Sequence, residues 1–210
     1  MNATTADRTE EAVPHRGRSL DASRDVALRD AALELLAEIG YDRLTIDSVA
    51  ARARASKTTI YRRWPGKAEL VVDAMNCRKG KTTVPDTGSL RGDLDAIAKT
   101  STSADNETDT QVILGLITAL ARDAELRAVF REQLVDPRTA LMKEVFERAV
   151  ARGEVAEDRN LDLLTSVFPA LVIHQLLMSG ETPDADFAAS VMDDVLFPLA
   201  TAPGSSSGPD

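Results

Sequence analysis

The chain has 210 residues, of which 43% are apolar, 28% charged and only 4% aromatic, the profile of a soluble globular chain of one large domain or two small ones. Its 25 Lys and Arg against 34 Asp and Glu leave a formal net charge of −9, and one cysteine, Cys77, with two histidines argues against an internal disulfide and the usual zinc cluster. No uninterrupted apolar run approaches the ~20 residues that cross a bilayer and no secretory signal opens the chain, so a cytoplasmic protein without a membrane partner, metal or cofactor is expected.

Residues 1–19 are polar, contain Pro14 and Gly17, and read as a flexible arm. From Leu20 to Ile39 the apolar residues Leu28, Ala32, Leu35, Leu36 and Ile39 follow the stripe of a buried helix face, and Gly40 is expected to stop that helix. Thr45 is placed to cap a short second helix with Asp47 in its first turn and Ile46, Val49, Ala50 and Ala53 inward. Ser56 caps a third, predicted over Lys57 to Trp64, with Ile60 and Trp64 buried and Pro65-Gly66 ending it. A fourth helix from Lys67 turns Leu70, Val71, Ala74 and Cys77 inward until Gly80 and Pro85, Cys77 being read as a small core residue.

Beyond Gly88 the helical periods continue, with breaks expected near Asp105 to Asp109, at Asp136-Pro137, over Gly153 to Asn160 and over Gly180 to Pro183. No segment alternates like a half-buried strand, so the fold class is all-α. Ser103 to Asp109 superficially resembles a calcium loop but lacks the required Gly and terminal Glu, and reads as a plain loop. The tail from Ala202 to Asp210 is too poor in apolar groups to order itself.

Charge is unevenly placed. Residues 1–80 hold 14 basic and 12 acidic side chains and the remainder 11 and 22. Between Asp47 and Glu69 stand Arg52, Arg54, Lys57, Arg62, Arg63 and Lys67 with no acid among them. Such a patch suits a phosphate backbone, because salt screens the distant acidic body beyond about 10 Å; a solvated helix face is the plain alternative. Two short helices joined by a tight turn, the second rich in Lys, Arg, Thr and Tyr, make a helix-turn-helix that sets one helix in the major groove. With Ile60 and Trp64 inward, Lys57, Thr58, Tyr61 and Arg62 share one outer side and Arg63 points away toward solvent. Lys67, in a first helical turn where a cation opposes the dipole, suits a bound phosphate.

The run Ala31-Ala-Leu-Glu-Leu-Leu-Ala-Glu-Ile-Gly-Tyr41, then Leu44-Thr-Ile-Asp-Ser-Val-Ala50, then Ser56-Lys-Thr-Thr-Ile-Tyr-Arg-Arg-Trp-Pro-Gly-Lys67 resembles the DNA-binding domain of the tetracycline-repressor (TetR) family over about residues 24–75. The resemblance implies a homodimeric repressor whose N-terminal domains (here 20–66) bind a pseudo-palindromic operator in double-stranded DNA, while a helical C-terminal domain (67–201) binds a small effector and dimerises. It implies Thr45 and Tyr61 as phosphate contacts, Lys57, Thr58, Thr59 and Arg62 as the groove-facing set, and Lys67 as a further phosphate contact. The family commonly has Gly where this chain has Arg54. Either a left-handed backbone there costs about 1 kcal/mol or the turn is shaped differently, and Arg54 is a candidate phosphate contact.

Residues Leu161 to Ser179 are apolar nearly all round, which implies burial on several faces, with Pro169 bending the helix or freeing a carbonyl. Phe187, Val191, Val195 and Leu199 form an i, i+4 stripe, and the resemblance implies that these last two helices pair with their mates in a four-helix bundle; an intramolecular core is the alternative. Candidate walls of an effector pocket, chosen for spacing and size, are Leu114, Ile117, Thr118, Met142, Phe146, Phe168, Leu171 and Met178, with His174 and Gln175 as ligand, interface or core polar groups. Residues 81–210 contain no Trp or Tyr, so an aromatic cage for a cation is not expected and the effector should be apolar or weakly polar. No Gly-rich phosphate loop, His-Glu-x-x-His or nucleophile elbow supports an enzyme; a helical protein-interaction adaptor without effector response is the competing reading.

Overall fold

The computed structural model describes residues 16–79, 83–101, 106–181 and 183–203. Helix α1 (Arg16–Arg43) buries Leu28, Ala32, Leu35 and Leu36 and is broken at Gly40, whose φ of 74° and ψ of 167° suit only glycine. The break folds Tyr41 into the core, and Tyr41 rather than the expected Ile39 takes the last inner position; Ile39 is exposed. The helix begins at Arg16, inside the expected arm, with Gly17 and Arg18 in a first turn whose N–H groups need no intrahelical acceptor. Residues 1–15 lie outside the described residues.

Helix α2 (Ile46–Arg52) starts at a capping box: the Thr45 hydroxyl accepts from the Ser48 N–H at 3.1 Å, and the Ser48 hydroxyl oxygen accepts from the Thr45 N–H at 3.1 Å. It ends at Arg54, the one non-glycine residue with positive φ, 49°, among the described residues. Arg54 N–H donates to Ala51 O at 3.2 Å and Ala55 N–H to Ala50 O at 2.9 Å, a Schellman closure with arginine where glycine is usual. The left-handed turn is thus kept and its cost accepted. Helix α3 (Lys57–Tyr61) is capped by Ser56, whose hydroxyl accepts from Thr59 N–H. It stops short of Trp64, because Arg63 and Trp64 N–H both converge on Ile60 O at 2.9 Å and Pro65 disfavours α geometry in the residue before it.

Helix α4 (Lys67–Lys79) buries Ala68, Leu70, Val71, Val72, Ala74 and Met75. Cys77 is exposed rather than buried; it stands four residues after half-buried Asp73, its Sγ 3.9 Å from Asp73 Oδ1, on the flank of the helix rather than its inner face. Helices α5 (Leu90–Ser101), α6 (Asn106–Arg122) and α7 (Ala124–Phe130) follow. Asn106 to Asp109, expected in a loop, form the first turn of α6; residues 103–105 lie outside the described residues. A π-helical turn, Arg131–Val135, runs straight into α8 (Asp136–Ala151). The expected break at Asp136-Pro137 is only a change of pitch: the π-helical turn accommodates the proline, and the Gln133 carbonyl four residues before it accepts from Asn76 Nδ2 at 2.8 Å.

The expected breaks at 153–160 and 180–183 separate α9 (Leu161–Met178) from its neighbours. The chain ends in α10 (Ala185–Ser190), a π-helical turn, Val191–Leu196, and α11 (Phe197–Thr201). Arg159 holds the carbonyls of Ala202 and Pro203, so the start of the expected tail is anchored; 204–210 lie outside the described residues.

Two apolar cores organise these helices. The first joins α1 to α4 with Val112, Leu116 and Ala119 of α6, Leu126 of α7 and Leu134. The second joins α5, α8, α9 and the C-terminal helices around Phe146, Leu94, Met192 and Leu196. Asp93, fully buried, ties the second core together: its Oδ1 accepts from the N–H and hydroxyl of Thr87 at 2.7 and 2.8 Å, and Oδ2 lies 3.5 Å from Arg152 and 3.8 Å from Arg148.

Helix α6 meets α1 backbone to backbone. A Cβ on Gly115 would stand 2.6 Å from the carbonyl oxygen of Leu36, closer than any side chain tolerates. Gly115→Ala is expected to destabilise the fold by about 1–3 kcal/mol through forced separation of the two helices, read as a lower midpoint in urea. Arg54→Gly should do the opposite, raising stability by up to about 1 kcal/mol by relieving the left-handed arginine; the same titration checks it.

Candidate nucleic-acid interface

The short α3 is held from below by Ile60 and Trp64, both buried. Trp64 Nε1 donates to Asp73 Oδ2 at 2.9 Å, and Arg29 Nε donates to the same oxygen at 2.7 Å while its guanidinium lies 5.6 Å from the centre of the Trp64 ring. Asp73 thereby locks α3 against α1 and α4. Nothing local marks it in the sequence, because its partners lie 9 and 44 positions away.

With that underside fixed, Lys57, Thr58, Tyr61 and Arg62 are exposed together, Tyr61 at 54%. Thr45 is exposed, but its hydroxyl serves the α2 cap. Thr59 is half-buried and its hydroxyl shares a 2.9 Å hydrogen bond with Ser56. Lys67 turns inward: its ammonium donates to Tyr41 O at 2.9 Å and lies 3.9 Å from the centre of the Tyr41 ring. Partial burial pushes its pKa below the ordinary lysine value.

The basic patch is already largely paired. Arg52 forks onto Glu38 with Glu34 beside it. Lys57 Nζ lies 2.6 Å from Asp47 Oδ1, and that hydrogen bond raises the lysine pKa. Arg63, expected in solvent, is instead nearly buried, bonded to Asp21 at 2.9 Å and to Asp25; Arg62 lies 3.7 Å from Asp21. Arg63 stands close to the Ile60 side of the turn, where the Thr59 carbonyl and the α1 carboxylates Asp21 and Asp25 hold its guanidinium.

A cleft of about 270 Å³ lies beside the first core, walled by Met75, Ile113, Leu116, Ile117, Leu120, Phe130 and Ile173. Of the pocket residues picked from the sequence only Ile117 lines it. Phe146 is fully buried in the second core, where half-buried Met142 and Phe168 also pack. Leu114, Leu171 and Gln175 are half-buried, while Thr118, His174 and Met178 are exposed. The Gln175 amide donates to Glu181 at 3.1 Å. Of the missed walls, Ile113, Leu116 and Leu120 stand on α6, Met75 on α4, Phe130 at the end of α7 and Ile173 on α9, brought together only by the tertiary packing. Among the described residues no group of three metal-ligating side chains occurs.

Helix α9 is long and apolar enough to cross a membrane, with a mean hydropathy of 1.6, and only 17% of it is buried. Leu163, Ser166, Ala170, His174 and Leu177 form an exposed stripe along it. Of the four residues expected at the interface, Leu199 is exposed, Phe187 and Val195 are half-buried, and Val191 is buried within the protomer. Val191 therefore belongs to the internal packing of its own chain.

Residues 28–74 match the model for bacterial regulatory proteins of the tetR family, and residues 84–195 match that for the tetracyclin repressor-like C-terminal domain. The chain belongs to the TetR family. It is 39% identical over 179 residues to the DNA-binding transcriptional repressor TetR of Mycobacteroides abscessus, covering 84% of this chain and 94% of that one. An uncharacterized HTH-type transcriptional regulator of Mycobacterium tuberculosis is 37% identical over 179 residues, covering 85% and 88%. The crystal structure of the TetR family transcription regulator SCO0332 superposes with a TM-score of 0.61 at 29% identity over 83% of this chain and 97% of that one. As a TetR-family protein the chain is a helix-turn-helix, DNA-binding regulator of transcription and not an enzyme.

Proposed function

We propose that the protein is a cytoplasmic, homodimeric repressor that binds a palindromic operator and is released from it by a small apolar or weakly polar effector. The observation that carries the reading is the exposed set Lys57, Thr58, Tyr61 and Arg62 on a helix anchored by Ile60 and Trp64. Lys57 and Arg62 suit base edges or phosphates, Thr58 the thymine methyl, and Tyr61 a phosphate oxygen. Thr45 and Thr59 contribute through their capped helix starts, and Lys67 reaches a phosphate by exchanging the Tyr41 carbonyl for it, a trade favoured by the lysine's incomplete solvation. The cleft, whose walls carry only apolar side chains, supports an effector with little hydrogen-bonding demand. Its occupation favours one relative setting of α6 against α9 and hence one spacing of the two DNA-binding units.

Two measurements test this. Lys57→Ala, Tyr61→Ala and Lys67→Ala are each expected to weaken binding to the operator about tenfold or more, and Lys67→Ala to shallow the salt dependence by about 0.9 in log–log slope; three variants that bind as wild type overturn the reading. Leu163→Glu with Leu177→Glu should convert the dimer to monomers in sedimentation at micromolar concentration while leaving far-UV helicity unchanged, because the α9 stripe is open to solvent in one protomer.

A further inference from the structure

Asp47 is unusual for a surface that meets phosphates. The other carboxylates that pair with the patch come from α1, behind the helix-turn-helix: Glu34, Glu38, Asp21 and Asp25. Asp47 alone comes from the first turn of α2, two residues after the Thr45 cap, and meets the first residue of α3 with its Oδ1 2.6 Å from Lys57 Nζ. Both side chains are open, at 66% and 59%. An ion pair so exposed contributes little to stability, and a lone carboxylate here would be repelled by the duplex. Joined to Lys57 it is instead a preformed acceptor–donor couple at the entering end of the recognition helix.

We infer that Asp47 and Lys57 together read one C·G pair in each half of the operator, Asp47 accepting from the cytosine N4 amino group and Lys57 donating to guanine O6 and N7. The inference rests on the reading that α3 enters the major groove. In that groove the guanine O6 acceptor and the cytosine amino donor stand side by side at hydrogen-bond spacing, the complement of the ammonium and carboxylate on the protein. The reversed elements of an A·T pair fit badly. The adenine amino group is flanked by N7, an acceptor that repels the carboxylate, and the thymine O4 is flanked by the C5 methyl, which crowds the ammonium. Guanine offers Lys57 a second acceptor, and cytosine places only C5–H beside Asp47. The carboxylate thus discriminates mainly by refusing the acceptors of the wrong bases.

The test is selection of bound duplexes from a randomised library by the full-length wild-type protein, Asp47→Asn and Asp47→Ala, with thermal midpoints recorded for all three. Wild type is expected to enrich a twofold site holding a fixed C·G pair in each half. Asp47→Asn, which keeps the size of the side chain, should shift that position from C toward A, since a carboxamide pairs with adenine N6 and N7. Asp47→Ala should lose at least tenfold discrimination there, with the other positions unchanged. Identical base preferences in all three proteins would overturn the pair readout while leaving DNA recognition intact. Absence of any enriched sequence with wild type would overturn the underlying reading and the inference with it.

Discussion

The contact between Gly115 and the Leu36 carbonyl governs how the rest of the molecule is arranged. A glycine there lets α6 lie on α1 with no side chain between them, and the first core then runs without interruption from Leu28 and Ile60 to Val112, Leu116 and Leu126. The DNA-binding unit is therefore not a bead on a linker. It shares its apolar interior with α6 and α7, so a displacement of α6 is carried into α1, and through Asp73, Arg29 and Trp64 to α3. Close-packed interiors transmit such displacements because they have no slack to absorb them. Helix α6 presents Ile113, Leu116, Ile117 and Leu120 to the cleft on a face turned away from Gly115, so an occupant of the cleft bears on the same helix that Gly115 seats on α1.

Pairing of the basic patch sets how it meets DNA. A row of unpaired arginines would bind any duplex, whereas here, under the proposed function, Arg52 and Arg62 exchange a facing carboxylate for phosphate, Arg63 stays paired under α1, and Lys57 meets a base beside Asp47. In water the exchange is close to even, since exposed ion pairs are weak and phosphates are the stronger local anions. Non-specific affinity is thereby lowered, and contacts that only a matched sequence completes gain in relative weight. The net charge of −9 acts in the same direction at low salt.

Legibility in the sequence tracked the range of the interaction. The Thr45 and Ser56 caps, the Gly40 break and the burial of Ile60 and Trp64 depend on neighbours within a few residues, and the sequence pattern places them correctly. Arg54 left two turn geometries open, and the Schellman hydrogen bonds choose the strained one. Ile39 and Cys77 fit their stripes by spacing, yet both are exposed, because Tyr41 in one case and the flank beside Asp73 in the other depend on where the chain goes next. The cleft was the least legible element. Helical spacing finds apolar residues on α6, α8 and α9 but does not say which face of each the α1 contact and the second core will claim, so Phe146 went to the core and Ile113 and Leu116 to the cleft.

Helix α9 shows why an all-round apolar sequence suits a regulator of this build. One flank reaches the second core through Leu164, another brings Ile173 to the cleft, and a third exposes Leu163, Ala170 and Leu177. A helix that served only the core would carry charges on its outer face; this one keeps apolar groups there, at a cost in solubility unless a second surface covers them. Under the proposed dimer that surface is the partner's α9, and the same rigid rod then touches the cleft and the twofold interface at once. A shift of Ile173 forced by an occupant moves Leu177, one turn further along, relative to the partner. Under the proposed function, effector occupancy and the relative setting of the two subunits are then a single mechanical variable that the α1–α6 joint carries to α3.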